Sequence, residues 1–190
     1  MVIRINDHIL DYTTEQLAQW LEELPEWRRK QALSFKHDAG RRQSILAYRL
    51  LCQALREAYG VTEPPTFLYG EHGKPYLPPS PRPIHFSLSH CRGAVACVVG
   101  DHPCGIDIES PRKISEPLVR YAMNDEEQAL ILQSREPSRT FLRLWTQKEA
   151  VGKLLGTGIR DNVKDLLREA SYNIETRETE QWVMSVAEFH

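Results

Sequence analysis

The chain has 190 residues, 41% apolar and 26% charged, with a formal net charge of −2. Such a composition belongs to a folded domain of ordinary size and excludes a wholly disordered chain. The near-balanced charge gives no global basis for binding nucleic acid or an anionic membrane surface.

No apolar run reaches the length of a bilayer span, and the opening MVIRINDHIL carries Asn6, Asp7 and His8 where a signal peptide needs an apolar core. The four cysteines, Cys52, Cys91, Cys97 and Cys104, form no C-x-x-C pair and no zinc-ligand spacing. Reduced, buried thiols in a cytoplasmic protein are the expectation.

Thr13–Pro25 reads as an amphipathic helix with a threonine cap and a proline at its end, and Glu26–Phe35 as a second, short helix. Ala39–Gly60 is the strongest helical segment, with Ile45, Tyr48, Leu51, Cys52, Leu55 and Tyr59 on one stripe and Gly60 as the stop. A proline-rich loop holding Glu71–Ile84 follows. His85–His90 and Ala94–Gly100 read as two strands joined by a turn at Cys91–Gly93, and CGIDIES (Cys104–Ser110) as the next strand. Ser115–Ser134 is helical with a break near Asn124. Ser138–Gly156 is a helix capped by Ser138 and stopped by Gly156, and the end of the chain reads as a hairpin. Both halves thus run from helices into a hairpin. An α+β fold follows, either as one unsymmetrical domain or as an internal duplication without residue-level repeats.

The strand CGIDIES places Asp107 and Glu109 on one face and Ile106 and Ile108 on the other. Two like charges on one face mean either that the face is wet or that a cation sits between them. With Glu149 on the helix WTQKEAVGK, the chain offers three carboxylates without imidazole or thiolate partners, a donor set suited to a hard cation such as Mg²⁺. Carboxylates at i and i+2 alone are the pattern of any solvated strand. Glu149 and Lys153, at i and i+4, would alone be an ordinary helix ion pair of about 0.3–0.5 kcal/mol. GKP at Gly73–Pro75 is a surface turn or a binding loop. Ser89 and His90 end a strand at a turn, where both can hydrogen-bond a phosphate. A Ser89–His90 nucleophile pair is disfavoured, because neighbours on a strand point to opposite faces and no G-x-S-x-G elbow exists. The basic run Trp27–Arg42 is a solvated helix face or a grip on a phosphate-rich ligand; no Walker A or G-x-G-x-x-G motif is present.

In combination these pieces resemble the 4′-phosphopantetheinyl transferase superfamily. GIDIE (Gly105–Glu109) followed by FLRLWTQKEAVGKLLGTG (Phe141–Gly158) is similar to its paired signature, with Trp145, Thr146, Lys148, Glu149, Ala150 and Lys153 at the fixed positions. GKP and FSLSH resemble its two earlier motifs. The resemblance is to the longer, surfactin-synthetase-activating type. It implies a pseudo-dimer of two similar α/β lobes, each with helices on a small antiparallel sheet. The lobes would be residues 1–100 and 101–190, with the active site at their interface and the chain a monomer.

The implied reaction transfers the phosphopantetheine arm of coenzyme A to a serine of an apo acyl or peptidyl carrier protein, in fatty acid or secondary metabolite biosynthesis, and releases 3′,5′-ADP. The resemblance implies Mg²⁺, with Mn²⁺ as an alternative, on Asp107, Glu109 and Glu149. It puts Lys153 on the pyrophosphate, Ser89 and His90 on coenzyme A phosphates, Lys74 at the nucleotide end, and Arg28, with Arg42 and Ser44, at the 3′-phosphate. Glu149 is the first choice for the base that takes the serine proton and Glu126 the second. Ser87, where the family often has asparagine, and Gln31, where it often has a second basic residue, are departures. Arg160, Lys164 and Arg168 form a candidate docking patch for an acidic carrier, or the face of an ordinary amphipathic helix. A metal-dependent phosphodiesterase and a non-catalytic coenzyme A binder are the rival readings.

Overall fold

The computed structural model describes residues 1–159, 163–168 and 171–190. The first half opens with strand β1 (Val2–Asn6), which the sequence pattern did not announce. Helix α1 (Thr14–Glu22) starts on a capping box in which Thr13 and Gln16 satisfy each other's backbone N–H. Helices α2 (Glu26–Leu33) and α3 (Asp38–Tyr59) follow, and Gly60 ends α3 at φ +67°, a conformation that favours glycine. The two-residue strands β2 (Leu68–Tyr69) and β3 (Pro75–Tyr76) make a small hairpin ahead of β4 (His85–His90) and β5 (Val95–Gly100).

The second half repeats the order. It runs through β6 (Cys104–Glu109), α4 (Glu116–Ala122), α5 (Asp125–Gln133), α6 (Pro137–Leu155), a 3₁₀ turn at Val163–Asp165, β7 (Tyr172–Glu178) and β8 (Val183–Phe189). The break expected near Asn124 is the cap of α5: its side chain accepts from the Glu127 N–H. Helix α6 is capped two residues earlier than expected, by Glu136 rather than Ser138, with Pro137 inside the first turn, where a missing N–H costs nothing. Gly156 and Gly158 both adopt positive φ and break the chain after α6. The described part of 156–168 therefore holds only the 3₁₀ turn, not an amphipathic helix.

Each half makes one antiparallel three-stranded sheet, ordered β1-β5-β4 and β6-β8-β7, so the first strand of each half pairs with its last. The sheets meet through Ala96 and Val98 of β5, Cys104, Ile106 and Ile108 of β6, and Met184 and Val186 of β8. On the other face of β5, Val95, Cys97 and Val99 pack under Leu46, Leu51 and Leu55 of α3. Burial on both faces explains why β5 reads as an unbroken apolar run rather than an alternating one. Helix α6 covers the outer face of the second sheet through Ala150, Val151 and Leu154 against Ala187. It lies very close to β6: a Cβ on Gly105 would stand 2.0 Å from the Ala150 carbonyl oxygen and 2.5 Å from the Leu154 nitrogen. That approach sets β6 and α6 backbone to backbone and fixes what lies further along both.

Candidate active site

Because Ile106 and Ile108 of β6 enter the core between the sheets, Asp107 and Glu109 turn the other way, toward α6. That face is not wet: Asp107 is 5% exposed and Glu109 half-buried. The Lys153 ammonium donates to Asp107 Oδ1 at 2.7 Å and to the Ile106 carbonyl at 3.0 Å. Ser89 on β4 donates to the same Oδ1 at 2.8 Å and accepts the Ile108 N–H at 3.2 Å, and Ser87 accepts the Ile106 N–H at 3.2 Å. Side chains of the first half thus serve as the hydrogen-bond partners that β6 lacks along its outer edge. Asp107 Oδ2 is buried and has no partner among the described residues.

Glu109 accepts from the Trp145 indole N–H at 3.2 Å and lies 3.5 Å from the Arg112 guanidinium. Burial, reinforced by the charge of Asp107, raises its pKa. Glu149 is pushed up to about 7 by burial and then by Asp107 and Glu109, against the pull of Lys153. Burial and neighbouring negative charge thus hold Glu109 and Glu149 toward the protonated form beside Asp107. An all-oxygen donor set of this kind, with one buried oxygen unsatisfied, fits a hard divalent cation. Among the described residues no group of three His, Cys, Asp or Glu side chains stands assembled as a metal cluster. Asp107 and Glu109 instead hold protein donors, Lys153 with Ser89 and Trp145 with Arg112.

His90, exposed at the end of β4, has its pKa held down by desolvation and by the Lys153 ammonium, and it also feels Asp107 and Arg28. Arg28 is buried between α2 and α3; its Nη2 donates to the Ser44 carbonyl at 2.8 Å, and its guanidinium lies 5.3 Å from the Tyr48 ring centroid. Four buried polar groups in this part of α2 and α3 have no partner among the described residues: Trp27 Nε1, Arg28 Nε, Arg41 Nε and Ser44 Oγ. Unsatisfied buried donors are costly, and an anion would satisfy them. Arg42 is engaged elsewhere, donating to the Ile9 carbonyl at 3.3 Å. Lys74 reaches across to the second half, donating to the carbonyls of Cys104 at 3.3 Å and Leu154 at 3.2 Å, and desolvation lowers its pKa. Beside it lies a cavity of about 210 Å³ lined by Gly73, Pro75, Phe86, Leu88, Gly152 and Lys153.

Glu126 is exposed in the first turn of α5. Its neighbour Glu127, which sequence reasoning passed over, faces inward: its carboxylate pairs with the fully buried Lys148 ammonium at 2.8 Å. Lys148 also donates to the carbonyls of Val163 and Lys164 at 2.8 and 2.9 Å, so this motif lysine braces α5 and the 3₁₀ turn against α6. The signal for Glu127 was the capping-box spacing N-x-x-E from Asn124. Of the candidate docking patch, Lys164 is exposed, Arg168 is paired with Asp165 at 2.8 Å, and Arg160 lies outside the described residues.

Residues 103–187 match the 4′-phosphopantetheinyl transferase superfamily. The chain is 30% identical over 137 residues to a Bacillus subtilis 4′-phosphopantetheinyl transferase, a match covering 70% of this chain and 60% of that protein. It is 35% identical over 135 residues to the Bacillus pumilus 4′-phosphopantetheinyl transferase psf-1, covering 70% and 58%. It is 34% identical over 123 residues to the Salmonella typhi 4′-phosphopantetheinyl transferase AcpT, covering 61% and 60%. The chain thus spans about 60% of the length of these three relatives.

Proposed function

We propose, on the premise that residues 103–187 belong to the 4′-phosphopantetheinyl transferase superfamily, that the whole chain moves the phosphopantetheine arm of coenzyme A to a serine of an apo acyl or peptidyl carrier protein. The observation that carries this reading is the meeting of Asp107 and Glu109 on β6, Glu149 and Lys153 on α6, and Ser89 and His90 on β4 where the two halves join. The repeated strand–helices–hairpin order supports two lobes, residues 1–100 and 101–190, with the site between them.

The serine oxygen attacks the phosphorus that bears the pantetheine arm. A new P–O bond forms to the carrier, the bond to the nucleotide half of the pyrophosphate breaks, and 3′,5′-ADP leaves. Glu149, the α6 carboxylate beside Asp107 and Glu109, is the first choice to take the serine proton. Glu126, exposed on α5, is the second candidate. Lys153 holds the pyrophosphate through its ammonium as a point charge. Asp107, Glu109 and Glu149 would hold Mg²⁺, with Mn²⁺ acceptable to the same oxygens; when bound, it neutralises charge on the transferring and leaving oxygens. The partnerless donors of Arg28 and Ser44, with His90 nearby, suit the 3′-phosphate, and the cavity beside Lys74 suits the nucleotide end. Arg42, held by the Ile9 carbonyl, contributes charge nearby rather than a free hand. Lys164 and Arg168 offer local positive charge to an acidic carrier.

The test is intact-mass spectrometry of apo carrier proteins incubated with this protein, coenzyme A and Mg²⁺, with an EDTA control. A mass gain of one phosphopantetheine arm that EDTA abolishes is expected. No gain with coenzyme A consumed would identify a hydrolase, and no gain without consumption a binding module.

A further inference from the structure

We propose that Ser89 is a positioning residue whose hydroxyl fixes the Asp107 carboxylate, leaving Oδ2 as the oxygen available to a divalent cation. The inference rests on the metal-assisted reading above and departs from the role of phosphate ligand that the family resemblance implies for Ser89.

A serine hydroxyl has one proton to donate. In this structure Ser89 gives it to Asp107 Oδ1 at 2.8 Å, and its oxygen accepts the Ile108 N–H at 3.2 Å. Ser89 is 7% exposed, so the hydroxyl is spent inside the protein. Asp107 Oδ1 is held a second time by Lys153 at 2.7 Å. Any rotation of the carboxylate short of a full exchange of its two equivalent oxygens would break both bonds. The oxygen left over, Oδ2, is buried and without a partner among the described residues, on a side chain itself 5% exposed, a state that normally calls for a ligand. Ser89 belongs to β4 and Asp107 to β6, so the orientation of this carboxylate depends on how the two halves dock. Ser87, two residues earlier on β4, accepts the Ile106 N–H in the same way and touches no carboxylate. It isolates the backbone contact from the carboxylate contact.

The experiment titrates the full chain with Mn²⁺ alone, followed by electron paramagnetic resonance of the free ion. Coenzyme A is titrated separately in EDTA by calorimetry. Ser89→Ala is expected to weaken Mn²⁺ binding by about 10–100-fold, the usual loss when a residue orienting a metal ligand is removed. Ser89→Thr restores it, and Ser87→Ala stays near the parent value. If Ser89→Ala does not fold, Ser89→Cys, similar in size with only a weak donor, takes its place. Three results would overturn the proposal: undiminished Mn²⁺ binding by Ser89→Ala, equal losses in Ser87→Ala and Ser89→Ala, or a loss confined to coenzyme A binding in EDTA. A parent chain that binds Mn²⁺ but adds no arm to any carrier would instead sink the transferase reading.

Discussion

Gly105→Ala tests the closest approach in the fold. The added methyl carbon would lie 2.0 Å from the Ala150 carbonyl oxygen and 2.5 Å from the Leu154 nitrogen, whereas ordinary contact starts at 3.4 Å. Both obstacles are helix backbone, so no side chain can swing aside. Strand β6 must back away from α6, opening the contacts of Ala150 and Leu154 and pulling Asp107 and Glu109 from Glu149 and Lys153. Overpacking of this kind costs about 3 kcal/mol. For a chain of this size that lowers the melting temperature by about 6–12 °C. A displacement of about 1 Å at reacting groups can cost about 100-fold in rate, so transfer falls further than stability does. Melting followed by circular dichroism, beside single-turnover mass spectrometry on an apo carrier, measures both. Gly93→Ala is the control, since nothing lies within 4 Å of its added carbon. A Gly105→Ala protein that melts with the parent and transfers at the parent rate would refute the argument that this glycine sets the spacing of the site.

Asp107→Ala is expected to abolish transfer while the protein keeps its circular dichroism spectrum and cooperative melt; unchanged turnover would remove Asp107 from the metal site. Without cation, the folded chain keeps a proton on Glu149 up to about pH 7 that the unfolded chain releases near its ordinary value of 4.5. Stability in EDTA therefore falls as pH rises through that window, and Glu149→Gln flattens the fall; urea midpoints across the range measure it. Lys148→Ala strands the Glu127 carboxylate and two carbonyls, at a cost of about 3–5 kcal/mol in urea denaturation, and the double variant Glu127→Gln, Lys148→Met recovers part of it.

The local patterns were legible because they follow from backbone geometry. The period-two alternation of CGIDIE placed β6, the helical stripe placed α3, and Gly60 and Gly156 marked helix ends that their positive φ values bear out. The family motifs pointed to the same strand and helix. Strand β1 was missed because its alternation is short and interrupted: Ile3 and Ile5 pack toward the second sheet only once β5 lies beside them. Ser138 looked like a cap, but Pro137 fits the first turn and draws the helix start back past it.

What the sequence by itself determined is therefore the set of elements and the chemistry they carry: a strand with two carboxylates, a helix with a glutamate and a lysine, and basic residues in the first half. Local spacing dictates these, because side-chain direction repeats along any strand or helix. Only the tertiary structure decided which partners those groups meet. It turned the Asp107 face inward under α6, spent the Ser89 hydroxyl on Asp107 and sent Lys74 to the end of α6. It also chose Glu127 over Glu126 for the buried pair with Lys148. Each of these contacts joins segments far apart in the chain, brought together by the packing of two sheets and two long helices, and no local period encodes how those surfaces dock.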